Sequence, residues 1–321
     1  MGYDTSFHAV DIALVEDRLL PFIIGYGSDS DLDRLTREAV ERRKVRFHAK
    51  AWALGALRAA EARGADTFEP HLHVWGRPYF VIADSAEQVV QDVLRYQSAG
   101  PDDVPTLARE MIARLDPGLV DLVEPDTQGT LPADHHLAME ISWRMRVLRL
   151  AVAAVRSGTE TIRDPDTGRE HSAAALVARE IPFSVVEYAA ALTPGWMSRG
   201  KVWPTHLCRL ADVPAGGFGL PQALFAPLRE MFPQLSWMNE PTIVENYMVG
   251  GLVPPGDVAG SRRAFATRFE AIMAVARRDG WEPTASVNLT KIDEAFALAG
   301  HLGYGFCEAT EIYNGMAGSL N

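Results

Sequence analysis

The sequence predicts a helix-rich α+β protein with a modest mixed or antiparallel sheet. Its 321 residues, 47% hydrophobic and 23% charged, are typical of a globular chain that buries its own core. Apolar residues recur at three- and four-residue spacing over long segments, whereas strand propensity is confined to a few short ones. No 20- to 50-residue repeat and no regular alternation of strands with helices is present, which excludes a solenoid and argues against a TIM barrel.

The elements of residues 1–192 follow from capping and periodicity. Asp11, Asp29 and Ser85 are capping residues placed just before apolar-periodic segments. The turn sequence Asp-Pro-Asp-Thr-Gly at 164–168 predicts a hairpin. In order, the predicted elements are a strand at 3–10, helices at 12–24 and 32–63 (the second capped within 29–31 and with a possible break near Lys44), a strand at 71–83, helices at 86–97, 104–115 and 133–157, the hairpin at 159–173, and helices at 173–180 and 182–192.

The remainder of the chain begins irregularly. Residues 193–219 are rich in Gly, Pro and Trp, which is typical of a connection or a seam between domains. We therefore predict a helix-rich α+β body at 1–195 and an α+β subdomain at 196–321, or else one domain, with the first and last strands in one sheet. The later predicted elements are a helix at 220–231, a strand at 241–253, helices at 257–279 and 289–301, and a strand at 303–313.

Charge and cysteine content restrict the class of protein. A net charge of −11 disfavours binding to a nucleic-acid backbone. The longest apolar segments fall short of the ~20 residues that span a membrane, and the N-terminus lacks the pattern of a signal peptide. Cys208 and Cys307 have neither disulfide-scaffold nor zinc-site spacing. We expect an acidic, soluble, cytoplasmic bacterial protein without nucleic-acid or membrane partners.

Three histidines form the predicted metal site. His71 and His73 lie two apart on a predicted strand, so both imidazoles share one face about 6–7 Å apart. If the first strand lies beside this one, His8 and Asp11 join them. Histidine with carboxylate suits a divalent zinc, iron or manganese ion, which would polarise a substrate or activate water. A solvent-exposed strand edge would give the same histidine pattern.

Further residues are candidates for a pocket. Glu245 and Glu308 fall on neighbouring predicted strands and could act as a general acid and base if they approach each other. Tryptophans in irregular segments line ligand pockets, although they also fill seams between subdomains. The predicted pocket comprises Asp11, Trp75, Arg77, Trp196, Trp203, Trp237, Glu245 and Glu308.

One helix carries a basic stripe. Arg42, Arg46 and Lys50 are spaced four residues apart and could together bind a phosphate or a carboxylate. Because Glu38 and Glu41 lie on the same or the adjacent stripe, pairing along the helix predicts a solvated face instead.

Two functions are consistent with these patterns. The first is a metal-assisted, hydrolase-like enzyme that acts on a small-molecule ligand at His8, His71 and His73. The second is a non-catalytic, immunity-type protein whose acidic surface binds a basic protein partner.

Overall fold

A computed structural model describes residues 4–64, 76–127, 129–238 and 240–312 of the chain. The strands are β1 (Thr5–Val10), β2 (Thr161–Arg163), β3 (Glu170–Ser172), β4 (Trp196–Ser198), β5 (Val249–Val253) and β6 (Gly305–Thr310). The helices are α1 (Ile12–Leu14), α2 (Leu20–Ile24), α3 (Asp29–Ala62), α4 (Ala86–Ser98), α5 (Val104–Leu115), α6 (Asp134–Ser157), α7 (Ala173–Ala175), α8 (Ile181–Leu192), α9 (Pro204–Leu210), α10 (Ala226–Met231), α11 (Val258–Ala266), α12 (Phe269–Arg278) and α13 (Glu282–Leu302). These elements confirm the helix-rich α+β class.

The main sheet joins the two ends of the chain. Its strand order is β4-β1-β6-β5, and every pairing is antiparallel. β1 and β6 pair along their whole length, from Thr5 opposite Thr310 to Val10 opposite Gly305. The prediction that the first and last strands share a sheet is therefore confirmed. Every residue of both strands is buried, so helices cover both faces of the sheet.

Two hydrophobic cores lie on the two faces of the sheet. Phe7 and Phe306 belong to one core, which is covered chiefly by α4, α5, α12 and α13. Val10 and Cys307 belong to the other, which is covered by α2, α6 and α8. Helix α3 contributes its first half to the second core and its second half to the first. At 34 residues it is about 50 Å long, enough to pass the edge of the sheet from one core to the other.

Several predicted elements were wrong in detail. Residues 76–83 form no strand: they are buried because of their apolar side chains, while Gly76 and Pro78 interrupt the backbone pattern that pairing needs. Residues 71–75 of that predicted strand lie outside the described part. The predicted strand at 241–253 is reduced to β5, and α3 runs unbroken past Lys44. The segment 193–219, predicted to be irregular, contains β4 and α9.

Among the described residues, no helix combines the length and the apolarity that crossing a bilayer requires. The division at residues 195 and 196 stays a prediction.

The hairpin at 159–173 is confirmed, and a buried carboxylate holds its turn. β2 pairs with β3 through Thr161 opposite Ser172. The Asp164 carboxylate accepts hydrogen bonds from the Trp143 indole at 3.2 Å and from the Thr167 hydroxyl at 2.5 Å. It also accepts from the backbone N–H of Asp166 at 2.9 Å. The turn is therefore fixed to α6 from inside.

We expect Asp164→Ala to lower the free energy of unfolding by about 1–3 kcal/mol, because the Trp143 indole and the donors of the turn lose their shared acceptor. Urea unfolding measures this change. The control is Asp166→Ala, at an exposed residue of the same turn, which is expected to change the free energy of unfolding by no more than about 0.5 kcal/mol. Equal effects of the two substitutions would contradict this account of the turn.

Candidate functional site

Basic side chains are buried where α3 passes the edge strand β4. Lys50 is 2% exposed and Arg46 is 5% exposed. The solvated face predicted for this stripe is therefore wrong for both residues. Val45, Ala49 and Ala53 on the same part of the helix are fully buried as well, so Arg46 and Lys50 lie on a side of α3 that packs against the protein interior.

These cations occupy the outer edge of the sheet. The backbone N–H of Met197 in β4 donates to the carbonyl of Gly76 at 2.8 Å, and its carbonyl accepts from Lys291 Nζ at 3.0 Å. Lys50 Nζ donates to the carbonyl of Arg77 at 3.0 Å. The two lysines thus satisfy carbonyl groups at and beside the edge strand β4, next to which the described residues place no further strand.

A buried ion pair stands beside them. Arg77 donates to both carboxylate oxygens of Glu294, at 3.0 and 2.5 Å, and both side chains are almost wholly buried. The Trp196 indole donates to the same carboxylate at 2.8 Å. Because the Glu294 carboxylate accepts from both of these side chains, its negative charge is paired with the guanidinium of Arg77. We call Arg46, Lys50, Arg77 and Lys291, together with Glu294, the cationic cluster.

The described members of this cluster carry an excess of positive charge. No described carboxylate lies within ion-pair distance of Arg46 or Lys50. Burial lowers the pKa of the Arg46 guanidinium to about 10. Burial also holds the pKa of Lys50 well below its ordinary value, and the charges of Arg46 and Lys291 lower it further.

Among the described residues, three buried polar groups near Arg46 have no hydrogen-bond partner. They are Nε of Arg46 itself, the hydroxyl of Tyr79 and Nδ1 of His8. Arg46 Nη2 reaches only the thioether of Met197, at 3.6 Å, which is a weak acceptor. Tyr79 and Arg46 are close enough for each to influence the pKa of the other. Such unpaired groups cost free energy unless a bound molecule completes them.

The predicted metal ligands are only partly described. His8 Nε2 hydrogen-bonds the Ser6 hydroxyl at 2.8 Å. Its Nδ1 packs so closely on Gly195 that a Cβ built there would lie 2.3 Å away. Burial, with the charge of Arg46, lowers the His8 pKa to about 3, so its ring is neutral. His71 and His73 lie outside the described residues, as does Trp75, so the metal site stays a prediction. Within the described ranges, no group of three His, Cys, Asp or Glu residues could hold a metal ion.

The other predicted pocket residues are not brought to one place. Arg77 and Trp196 lie in the cationic cluster, and His8 lies near it. Asp11 instead caps α1 by accepting from Leu14 N at 3.0 Å. Trp237 stacks on Phe225 in the second core, and Glu245 is exposed.

Trp203 and Glu308 belong to a second buried polar site. The Glu308 carboxylate accepts from the backbone N–H groups of Thr205 and Gly251, each at 3.0 Å, and from the Thr205 hydroxyl. The hydroxyls of Thr205 and Thr242 are 2.6 Å apart, and the Trp203 indole donates to Thr242 at 2.9 Å. Burial raises the Glu308 pKa to about 7 despite these donors.

Sequence reasoning did not select Arg46, Lys50, Lys291 or Glu294 as site residues. The basic stripe was visible, but the nearby glutamates favoured surface pairing over burial. The overlooked signal is the apolar composition of α3 over residues 51–57, directly after the basic stripe. Nothing in the sequence connects α3 to Lys291 and Glu294, which lie more than 200 positions away and reach the cluster only through α13.

Comparison of the chain with protein-family models, with curated proteins and with solved structures gives no match.

We expect Lys50→Met to leave the free energy of unfolding unchanged or to raise it by about 1–3 kcal/mol, because a buried amino group without a carboxylate partner is replaced by an apolar side chain of similar length. Chemical denaturation measures this change. As a control, Lys44→Met on the same helix removes a lysine whose ion pairs with Glu41 and Asp134 are partly exposed. That change is expected to cost no more than about 1 kcal/mol. A large loss of unfolding free energy in Lys50→Met would contradict this expectation and show that the hydrogen bond from Lys50 to the Arg77 carbonyl is the main contribution of this lysine.

The Glu308 pKa predicts a pH dependence of stability. Below the ordinary carboxyl value of 4.5, both the folded and the unfolded states hold the proton. As pH rises from 4.5 to about 7, the unfolded state ionises first, so the free energy of unfolding falls by roughly 3 kcal/mol. Glu308→Gln is expected to remove most of this fall.

The measurement is a series of urea unfolding curves between pH 4 and pH 8, with Glu311→Gln as the control for net charge. An unchanged pH profile in Glu308→Gln would contradict the assignment.

Proposed function

We propose that the protein binds a small anionic molecule, through a carboxylate or phosphate group, at the cationic cluster. One observation carries this proposal: the Arg46 guanidinium is buried with Nε unpaired and with a thioether as its one described acceptor. A guanidinium presents a planar fork of N–H donors that matches a carboxylate or a phosphate.

Electrostatics favours an anion over a cation here. Burying a charge is costly unless an opposite charge pairs with it, and Arg46 and Lys50 have no such described partner. A bound anion would supply the missing negative charge, and the Tyr79 hydroxyl would add one neutral donor. A divalent metal ion at the same position would be repelled by the Arg46 guanidinium.

The two functions predicted from sequence remain predictions. Metal-assisted hydrolysis depends on His71 and His73, and the binding of a basic protein rests on net charge alone. The cytoplasmic location likewise remains a prediction.

Inorganic phosphate or acetate is expected to raise the unfolding temperature of the protein above its value in chloride at equal ionic strength. A ligand that binds the folded state stabilises it by about 2.7 kcal/mol at a hundred times its Kd. Arg46→Met is expected to weaken binding roughly 10- to 100-fold, because a charged hydrogen-bond donor is lost. Differential scanning fluorimetry and calorimetric titration measure the two effects.

The matched control is Arg34→Met, an exposed residue of the same helix that is paired with Glu38. It is expected to leave the anion effect unchanged. Stabilisation by chloride as strong as that by phosphate and acetate would overturn the proposal. So would an equal loss in Arg34→Met and Arg46→Met.

A further inference from the structure

We propose that Lys50 forms an imine with a 2-oxo acid whose carboxylate is bound by Arg46. This inference rests on the proposed function and deepens it by naming the class of ligand and a covalent step. It assigns different roles to two neighbouring basic residues: Arg46 binds the carboxylate of the ligand, and Lys50 is the nucleophile.

The surroundings of Lys50 favour a neutral amine. The side chain is 2% exposed, and its one described hydrogen bond is donated to the Arg77 carbonyl. Arg46 and Lys291 add positive charge nearby, and both lower the Lys50 pKa below the value that burial gives. A desolvated lysine beside another cation is an activated nucleophile, because the free amine carries the lone pair that attacks a carbonyl carbon.

The spacing of the two residues fits a 2-oxo acid. Arg46 and Lys50 are four residues apart on α3, so their Cβ atoms lie about 5–6 Å apart on one stripe. In a 2-oxo acid the carboxylate is bonded directly to the reactive carbonyl carbon. A carboxylate held by the Arg46 fork therefore brings that carbon toward the neighbouring amine, and this proximity accelerates the addition.

The step balances without any oxidant or reductant. The Lys50 lone pair forms the C–N bond, and the carbonyl oxygen becomes the hydroxyl of a carbinolamine. The oxygen then leaves as water with the two hydrogens that the amine nitrogen gives up, and a C=N bond remains. The Tyr79 hydroxyl has no hydrogen-bond partner among the described residues and lies close enough to Arg46 to couple with it, and we assign it as the donor to the departing oxygen.

The chain offers few competing amines. Its lysines are Lys44, Lys50, Lys201 and Lys291. Ion pairing with Asp134 and Glu41 raises the Lys44 pKa and keeps that amine protonated. Lys201 is exposed, and Lys291 is partly exposed and donates to the Met197 carbonyl.

The test is reductive trapping on the full-length protein. Pyruvate is equilibrated with the protein near neutral pH, sodium borohydride is added, and the reduced adduct is located by peptide mass spectrometry. We expect the adduct on Lys50 in at least roughly tenfold excess over Lys44 and Lys201, since each unit by which a lysine pKa falls raises its neutral fraction about tenfold. Arg46→Met is expected to reduce the trapping, whereas Arg34→Met leaves it unchanged.

Acetate binding, measured on the same samples, separates this inference from the proposed function. Stabilisation by acetate without an adduct on Lys50 would overturn the imine and leave anion binding intact. An adduct mainly on Lys291 would likewise overturn the assignment to Lys50. Absence of both adduct and stabilisation would overturn both proposals. Lys50→Met, which we expect to fold, must lose the adduct, and persistence of trapping in that variant would contradict the inference.

Discussion

The pairing of β1 with β6 is the interaction on which the rest of the structure depends. The first and last strands of the described chain lie side by side at the centre of the main sheet, and every residue of both is buried. A sheet covered on both faces requires two helical layers, and these form the two hydrophobic cores. About 300 residues separate the two paired strands along the chain, and the helices that these residues form are divided between the two faces of the sheet.

Helix α3 connects the two cores, since it supplies apolar residues to both of them and passes the short edge strand β4 on the way. There the backbone of Met197 hydrogen-bonds Gly76 and Lys291. Positively charged groups thus complete a sheet edge. The two lysines thus have backbone carbonyls as acceptors. The Arg46 guanidinium, in contrast, is buried beside a thioether, and its charge makes this edge of the sheet a candidate site.

The two buried polar sites share one face of the sheet. Trp196, Phe7 and Glu308 stand in a row across β4, β1 and β6, because Phe7 is opposite both of the other residues. At one end Trp196 helps to fix Glu294 against Arg77, and at the other Glu308 gathers donors from Thr205 and Gly251. The Glu294 carboxylate at one end is paired with a guanidinium. The described donors to the Glu308 carboxylate at the other end are backbone N–H groups and a hydroxyl, and burial therefore raises the pKa of Glu308.

Local chemistry in the sequence determined the fold class, the opening and closing strands, the Asp11 cap and the hairpin around Asp164. Each of these depends on neighbours within a few residues. The sequence also marked Arg77, Trp196 and Glu308 as candidates, although for a pocket that the fold divides between two sites. Only the tertiary structure decided that residues 76–83 pack without pairing and that the basic stripe of α3 is buried. Burial depends on which distant segments cover a surface, and here the covering strand and helix lie about 150 and 240 residues further along the chain.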